Sequence, residues 1–123
     1  MVLVDTSIWI DHFRSSNTLL CDLLESHLVF MHPFVLGELA CGNLKNRSEI
    51  IALFHALPAA KKVHDDELLF FIEKNQLMGR GIGLIDSHLL ASCQISACRL
   101  WTNDKRLKAM AEKLNIAFEK ESL

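Results

Sequence analysis

Four acidic residues occupy positions where a globular chain usually places neutral or apolar side chains. Asp5 ends the apolar segment 1–4, and Glu38 lies inside the apolar run 33–40. Asp86 follows Gly-Leu-Ile at 83–85, and Asp104 follows the segment 99–103. A carboxylate in apolar surroundings is costly unless a partner or a cation compensates for it. Four carboxylates that converge form an all-oxygen cluster, which selects Mg²⁺ or Mn²⁺. The pattern predicts a metal-dependent enzyme.

The elements that would position these acids alternate along the chain between short strands and helices. Apolar, β-branched segments predict strands at 2–5, 28–31, 99–102 and 116–118, with 61–64 either a brief strand or a turn. Helical spacing predicts helices at 8–13, 17–27, 33–41, 47–57, 65–77, from 84 or 85 to 98, and at 104–114. Thr6 or Ser7 is expected to cap the first helix. This alternation predicts an α/β fold with a small parallel sheet.

The predicted elements bring the acids to one edge of the sheet. Asp5 and Asp104 each follow a strand, at the carboxyl end, where open α/β sheets bind their ligands. Asp86 in a first helical turn and Glu38 within a helix can point into the same crevice. The alternative for each acid is a helix cap or a surface charge. If Asp86 and Asp104 only interact with the dipole at the start of a helix, each would stabilise the fold by less than about 1 kcal/mol.

Composition limits the classes of protein that remain. A chain of 123 residues, half of them apolar and 23% charged, predicts one compact domain over 1–123. No apolar run approaches the roughly 18–20 residues that span a membrane, and no signal peptide is recognisable at the start, so a cytoplasmic protein is expected. The four cysteines lack the paired spacing of a zinc site and are expected to be buried or half-buried thiols. The net charge of −2 decides nothing about a nucleic-acid partner.

Four segments, in this order, resemble the PIN-domain ribonucleases and, within that family, the VapC-type toxins of toxin–antitoxin pairs. They are Val4-Asp5-Thr6-Ser7-x-Trp9, the helix with Pro33 and Glu38, Gly83-Leu84-Ile85-Asp86-x-x-Leu89-Leu90-Ala91, and Leu100-Trp101-Thr102-Asn103-Asp104-x-x-Leu107. The resemblance covers essentially the whole chain. It implies a PIN-like three-layer α/β sandwich, with a small, mostly parallel sheet flanked by helices.

The resemblance also implies roles for individual residues. The metal-binding, catalytic acids would be Asp5, Glu38, Asp86 and Asp104. The hydroxyls that hold these acids or contact a substrate phosphate would be those of Thr6, Ser7 and Thr102. Some PIN nucleases carry a further acid just after the fourth, where this chain has Lys105 and Arg106. A second metal ion would therefore be held more weakly, and the number of ions at rest stays open.

The implied activity is hydrolysis of phosphodiester bonds in single-stranded RNA with Mg²⁺ or Mn²⁺, which leaves a 5′-phosphate and a 3′-hydroxyl. The implied partners are the RNA and a VapB-type antitoxin. Apolar side chains in excess of a minimal core predict a dimer interface or an antitoxin surface, and a homodimer is expected; they are Leu19, Leu20, Leu23, Leu24, Phe54, Phe70 and Phe71. Cations at the rim of the crevice would bind phosphates, namely Arg14, Arg80, Lys105, Arg106 and also Lys108. Trp9, between two isoleucines, is expected in the core rather than under an RNA base.

Three other functions fit parts of the pattern. A catalytically weak PIN domain could act as an RNA- or protein-binding module, although such a protein would be expected to have lost an acid. A phosphatase of the haloacid dehalogenase type needs a second Asp two residues after the first, where this chain has Ser7. A structure-specific DNA nuclease could use the same acids, but a chain of this length leaves little room for DNA-clamping segments.

Overall fold

The computed structural model describes residues 1–120, which form seven helices around a three-stranded sheet. The strands are short, and helices fill most of the chain between them. In chain order the elements are β1 (Val2–Val4), α1 (Thr6–Arg14), α2 (Thr18–Glu25), β2 (Val29–Phe30), α3 (Pro33–Ala40), α4 (Arg47–Ala56), α5 (Asp65–Lys74), α6 (Leu84–Ile95), β3 (Arg99–Trp101) and α7 (Lys105–Lys113).

The sheet is parallel, and β1 lies at its centre in the order β2-β1-β3. Val2 is in register with Val29 on one side and with Arg99 on the other. The chain therefore leaves β1 toward β2 on one side and later returns as β3 on the opposite side. A crevice opens beyond the carboxyl ends of the strands at such a reversal of strand order. The predicted α/β fold with a small parallel sheet is confirmed.

The predicted strand at 116–118 is not a strand in the structure, and the segment 61–64, predicted to be a brief strand or a turn, is irregular. The segment 61–64 makes no sheet pairing, and the nearest pairing is one bridge between Met31 and Ala59. The segment 116–118 forms only one bridge, between Leu100 and Ala117. The reason is the length of β3. Arg99 and Trp101 turn their backbone groups toward β1, so only Leu100 offers both its N–H and its C=O to this segment.

Helix α6 is the most deeply buried element, and its first turn carries Asp86. Every residue from 87 to 93 is buried, and the side chains of Leu89 and Leu90 have no exposed surface. Because a helix packed on this much of its surface cannot shift without opening the core, the position of Asp86 at the crevice is fixed. No helix within residues 1–120 is long and apolar enough to cross a membrane.

The remaining core residues agree with the sequence in most respects. Trp9 is 3% exposed and packs at 5.1 Å, ring centre to ring centre, from Phe54, so its predicted core position is confirmed. Cys93 and Cys98 are buried, as expected for small apolar side chains. Cys41 is exposed, contrary to expectation, because it caps the carboxyl end of α3, where the chain turns outward.

Candidate active site

Asp5 is the acid most tightly held by neighbouring side chains. It is 8% exposed, and its Oδ2 accepts hydrogen bonds from Thr102 Oγ1 at 2.7 Å and from Ser7 Oγ at 3.2 Å. Its Oδ1 accepts from the backbone N–H of Thr6 at 2.8 Å. Hydrogen bonds to an ionised acceptor are the strong ones, so both carboxylate oxygens are fixed in direction.

Asp5 also caps helix α1, which corrects the prediction that Thr6 or Ser7 does so. The strand ends at Val4, Asp5 keeps an extended backbone with φ −71° and ψ 157°, and Thr6 is already helical. An N-cap residue needs an extended backbone, so the cap falls on Asp5. The two hydroxyls are thereby released to bond acids, and Thr6 Oγ1 donates to Glu38 Oε1 at 2.8 Å.

Glu38 and Asp104 are more exposed than their apolar sequence neighbours indicated. Both residues are exposed, Glu38 on the open face of α3 and Asp104 at the amino end of α7. Asp104 caps α7, where its Oδ1 accepts from the N–H of Leu107 at 2.9 Å. Its own N–H donates to Thr102 Oγ1 at 3.0 Å. Thr102 therefore links Asp104 to Asp5 through one hydroxyl.

Asp86 lies near enough to the other three acids for their charges to affect its ionisation. Burial raises the pKa of its carboxyl, and the negative charges of Asp5, Asp104 and Glu38 raise it further. A hydrogen bond from the backbone of Gly83 acts in the opposite direction and only partly offsets them. The crevice therefore concentrates negative charge contributed by four separate elements of the chain.

The four acids are near one another without forming a closed cluster. Within residues 1–120, no three His, Cys, Asp or Glu side chains are grouped so that they could hold one metal ion. Carboxylates repel one another unless a cation lies between them. In donor type the set fits Mg²⁺ or Mn²⁺, because it offers carboxylate oxygens only. The pKa of Asp86 is raised by burial first and by the neighbouring negative charges second, and a cation would offset the second cause.

The cations predicted at the rim are all exposed, but their positions and contacts differ. Arg14 ends α1 beside the pocket that contains Glu38. Arg80 donates from Nε to the carbonyl of Gln76 at 2.8 Å. The side chain of Arg106 lies over Gly81, whose φ is +75°, and so contacts the loop that leads into α6. Lys105 begins α7, directly after Asp104.

Asn103 is a site residue that sequence reasoning missed. Its N–H donates to Ser7 Oγ at 3.1 Å, and its Nδ2 donates to Asp11 Oδ2 at 2.6 Å. It thereby ties the segment after β3 to helix α1. Its position between Thr102 and Asp104, two predicted site residues, could have identified it from the sequence. Asp11 is exposed, and its carboxylate accepts this hydrogen bond from Asn103.

A buried histidine pair lies in the core apart from the acids. His32 Nδ1 accepts from the N–H of Phe34 at 3.0 Å, so its Nε2 carries the proton and donates to Ser92 Oγ at 3.0 Å. Burial, followed by His88 and Lys62, lowers the pKa of His32 to about 4. His88 is 2% exposed, and its ring packs edge-on against Phe34 at a centroid distance of 4.7 Å.

Comparisons with known proteins agree with this geometry. The family model "PIN domain" matches residues 2–113. The protein called "Ribonuclease VapC32" of Mycobacterium tuberculosis, in strain H37Rv and in strain CDC 1551 / Oshkosh, is 40% identical over 122 residues. The match covers 98% of this chain and 98% of each relative. The chain belongs to the PIN-domain family and, within it, to the VapC type.

Proposed function

We propose that this protein is a metal-dependent endoribonuclease, the toxin of a VapBC-type toxin–antitoxin pair. It hydrolyses phosphodiester bonds in single-stranded RNA and leaves a 5′-phosphate and a 3′-hydroxyl. The observation that carries the proposal is the set of hydrogen bonds that connects three of the acids: Thr102 Oγ1 donates to Asp5 Oδ2 and accepts from the N–H of Asp104, and Thr6, next to Asp5, donates to Glu38 Oε1. The full-length similarity to a protein named as a ribonuclease supports it.

The four carboxylates would hold Mg²⁺ or Mn²⁺. When bound, a divalent cation lowers the pKa of a coordinated water and offsets the charge of the reacting phosphate. The residues around it set the geometry. Thr102 and Ser7 fix the direction of Asp5 Oδ2, and Thr6 holds Glu38 Oε1. One of the carboxylates accepts the proton of the attacking water.

RNA binding would come from the cations around the crevice and would be sensitive to salt. These are Arg14, Arg80, Lys105, Arg106 and Lys108. The protein would act in the cytoplasm, where RNA is available. Large apolar side chains that remain exposed support a protein partner, either the antitoxin or a second copy; Leu69 and Phe70 on α5 are 64% and 67% exposed.

The test is cleavage of labelled total RNA by the wild type, Asp5→Asn and the control Asp66→Asn, which changes an exposed acid outside the crevice. Each is assayed with Mg²⁺, with Mn²⁺ and with EDTA, and the 5′ ends of the products are mapped. Discrete cuts by the wild type and Asp66→Asn, lost with Asp5→Asn or EDTA and carrying 5′-phosphates, are expected. Cleavage that survives both EDTA and Asp5→Asn would refute the mechanism.

A second candidate is a PIN domain that binds RNA or protein without catalysis. It is favoured by the finding that no three acids within residues 1–120 are grouped to hold an ion. Calorimetry with Mg²⁺ and Mn²⁺ separates the two candidates. Metal binding that Asp5→Asn weakens supports the enzyme. An absence of both metal binding and RNA cleavage would support the binding module.

A further inference from the structure

A pocket of about 570 Å³ adjoins the acidic crevice and shares Glu38 with it. Helix α1 contributes one wall, and α3 with the loop that follows it contributes the other. We call it the α1–α3 pocket; its lining includes Ile10, Phe13, Arg14, Glu38, Asn43 and Lys45. Because Glu38 belongs to both, a group that occupies the pocket lies directly beside whatever is bound at the acids.

The pocket combines an aromatic surface with positive charge. The ring of Phe13 is 41% exposed, and its inner side rests on Trp9 and Phe54, at centroid distances of 6.3 and 6.2 Å. Arg14 and Lys45 are exposed at the rim. Single-stranded nucleic acids are held in this way, with bases stacked on aromatic rings and phosphates placed near cations.

One arginine holds the loop that forms one side of the pocket in place. Arg47, at the start of α4, donates through Nη1 to the carbonyl of Gly42 at 3.1 Å and through Nη2 to the carbonyl of Ala40. These bonds hold the loop that carries Asn43 and Lys45 against the end of α3. A wall that is already ordered loses little entropy when a ligand binds.

Charge distinguishes this pocket from another apolar cavity on the protein. A cavity of about 470 Å³ between α5 and α6 also contains an exposed ring and a cation, Phe70 and Lys74. It is lined by Asp66 and Glu67 as well, and none of the four crevice acids reaches it. An anionic ligand is therefore disfavoured there. In the α1–α3 pocket the one lining acid, Glu38, would be neutralised by a cation bound in the crevice.

We propose that the α1–α3 pocket binds the unstacked base of the RNA nucleotide next to the scissile phosphate. The base rests on Phe13, Arg14 and Lys45 contact the adjoining phosphate, and Asn43 offers its amide to the base edge. This inference rests on the proposed ribonuclease function and adds to it a site that influences where the RNA is cut.

The test measures the affinity of a short, fluorescein-labelled single-stranded RNA by anisotropy with Ca²⁺ in place of Mg²⁺, which keeps the crevice acids neutralised but supports hydrolysis poorly, so the readout is binding and no cleavage is required. The variants are Phe13→Leu, which keeps the apolar volume without the ring, and Lys45→Gln. The matched controls are Phe70→Leu and Lys74→Gln at the other cavity. We expect Phe13→Leu to weaken binding by about 10-fold. We expect Lys45→Gln to lower the salt dependence by about one counterion, with both controls unchanged.

Abasic substitutions in the RNA locate the contact. One abasic nucleotide, moved along the strand, should weaken binding to the wild type at one position and have no further effect there in Phe13→Leu. That loss of additivity identifies a direct contact between base and ring, which general destabilisation of the protein would not produce. Thermal unfolding of Phe13→Leu checks its fold, and Lys45→Gln, in an exposed loop, tests the pocket independently.

The outcomes separate this proposal from the proposed function. Unchanged RNA affinity in both Phe13→Leu and Lys45→Gln would overturn the pocket assignment, even if the wild type cleaves RNA in an Asp5-dependent way, and would leave the pocket to a peptide from a protein partner. An absence of RNA binding by the wild type would overturn it as well. Phe13-dependent binding without any cleavage would support the pocket and contradict the ribonuclease.

Discussion

The hydroxyl of Thr102 is expected to stabilise the fold by holding Asp5 and Asp104 together. Thr102 is 6% exposed, donates to Asp5 Oδ2 at 2.7 Å and accepts from the N–H of Asp104 at 3.0 Å. Thr102→Val keeps the shape of the side chain and removes both bonds. A hydrogen bond to a charged group contributes about 1.5–3 kcal/mol, and a neutral one about 1 kcal/mol. Together they predict a loss of about 3 kcal/mol.

A loss of that size should lower the melting temperature by about 10 °C in a chain of 123 residues. The measurement is thermal unfolding by circular dichroism at pH 7 in EDTA, which keeps any cation from substituting for the hydroxyl. Thr18→Val, at an exposed position in α2, is the matched control and should change the melting temperature little. Equal melting temperatures for the two variants would refute the structural role of the Thr102 hydroxyl.

A double-mutant cycle makes the test more specific. Ser7 Oγ also donates to Asp5 Oδ2, at 3.2 Å, and lies 3.5 Å from Thr102 Oγ1. Since the two hydroxyls share one acceptor atom, the losses from Ser7→Ala and Thr102→Val should not add. The double variant is expected to differ from the sum of the single variants by at least about 0.5 kcal/mol. Strict additivity would show that the two hydroxyls act independently.

Three further predictions concern charge and backbone. Asp86→Asn should abolish cleavage yet raise the melting temperature of the metal-free protein at pH 7. Because the pKa of Asp86 is raised from its ordinary value of 3.8, its ionisation costs stability as pH rises above that value, so the gain should vanish as pH falls toward 4. A destabilised variant at pH 7 would contradict the assignment. The pKa of His32 is lowered from 6.5 to about 4, so its contribution to the free energy of unfolding is complete above pH 6.5 and is lost as pH falls toward 4. This loss amounts to about 2 kcal/mol between pH 7 and pH 5. The free energy of unfolding of His32→Gln, measured with denaturant, should therefore depend less on pH. Gly79→Ala, at φ +72°, should cost about 1 kcal/mol of stability, whereas Gly83→Ala, with φ −85° and open space for a Cβ, should cost less; equal losses would contradict the backbone argument. Gly81→Ala, at φ +75°, should cost at least as much as Gly79→Ala, because its Cβ would also displace the side chain of Arg106.

Glu38 shows where sequence reasoning about burial fails. Its neighbours Leu36 and Leu39 are half-buried and buried, yet Glu38 is exposed. Successive residues on a helix point about 100° apart, so apolar neighbours in sequence do not define the surroundings of one side chain. The inference of burial from apolar neighbours was correct for Asp5, which is buried directly after the central strand. The N-cap was misplaced by one residue for a related reason, because the end of a three-residue strand carries little signal.

The sequence by itself determined the types of residue available and their order along the chain. Apolar periodicity located all seven helices to within a few residues, and the acids with their flanking motifs indicated the family. These features are local, so each can be recognised without knowing what lies nearby in space.

Only the tertiary structure decided which of these residues share atoms. The strand order places β3 beside β1, and this brings the hydroxyl of Thr102 to the carboxylate of Asp5 across 97 residues of chain. It also brings α1 against α3, which forms the pocket beside Glu38. Strand order and helix docking depend on the burial of whole apolar faces against one another, a property of the assembled core that no single segment encodes.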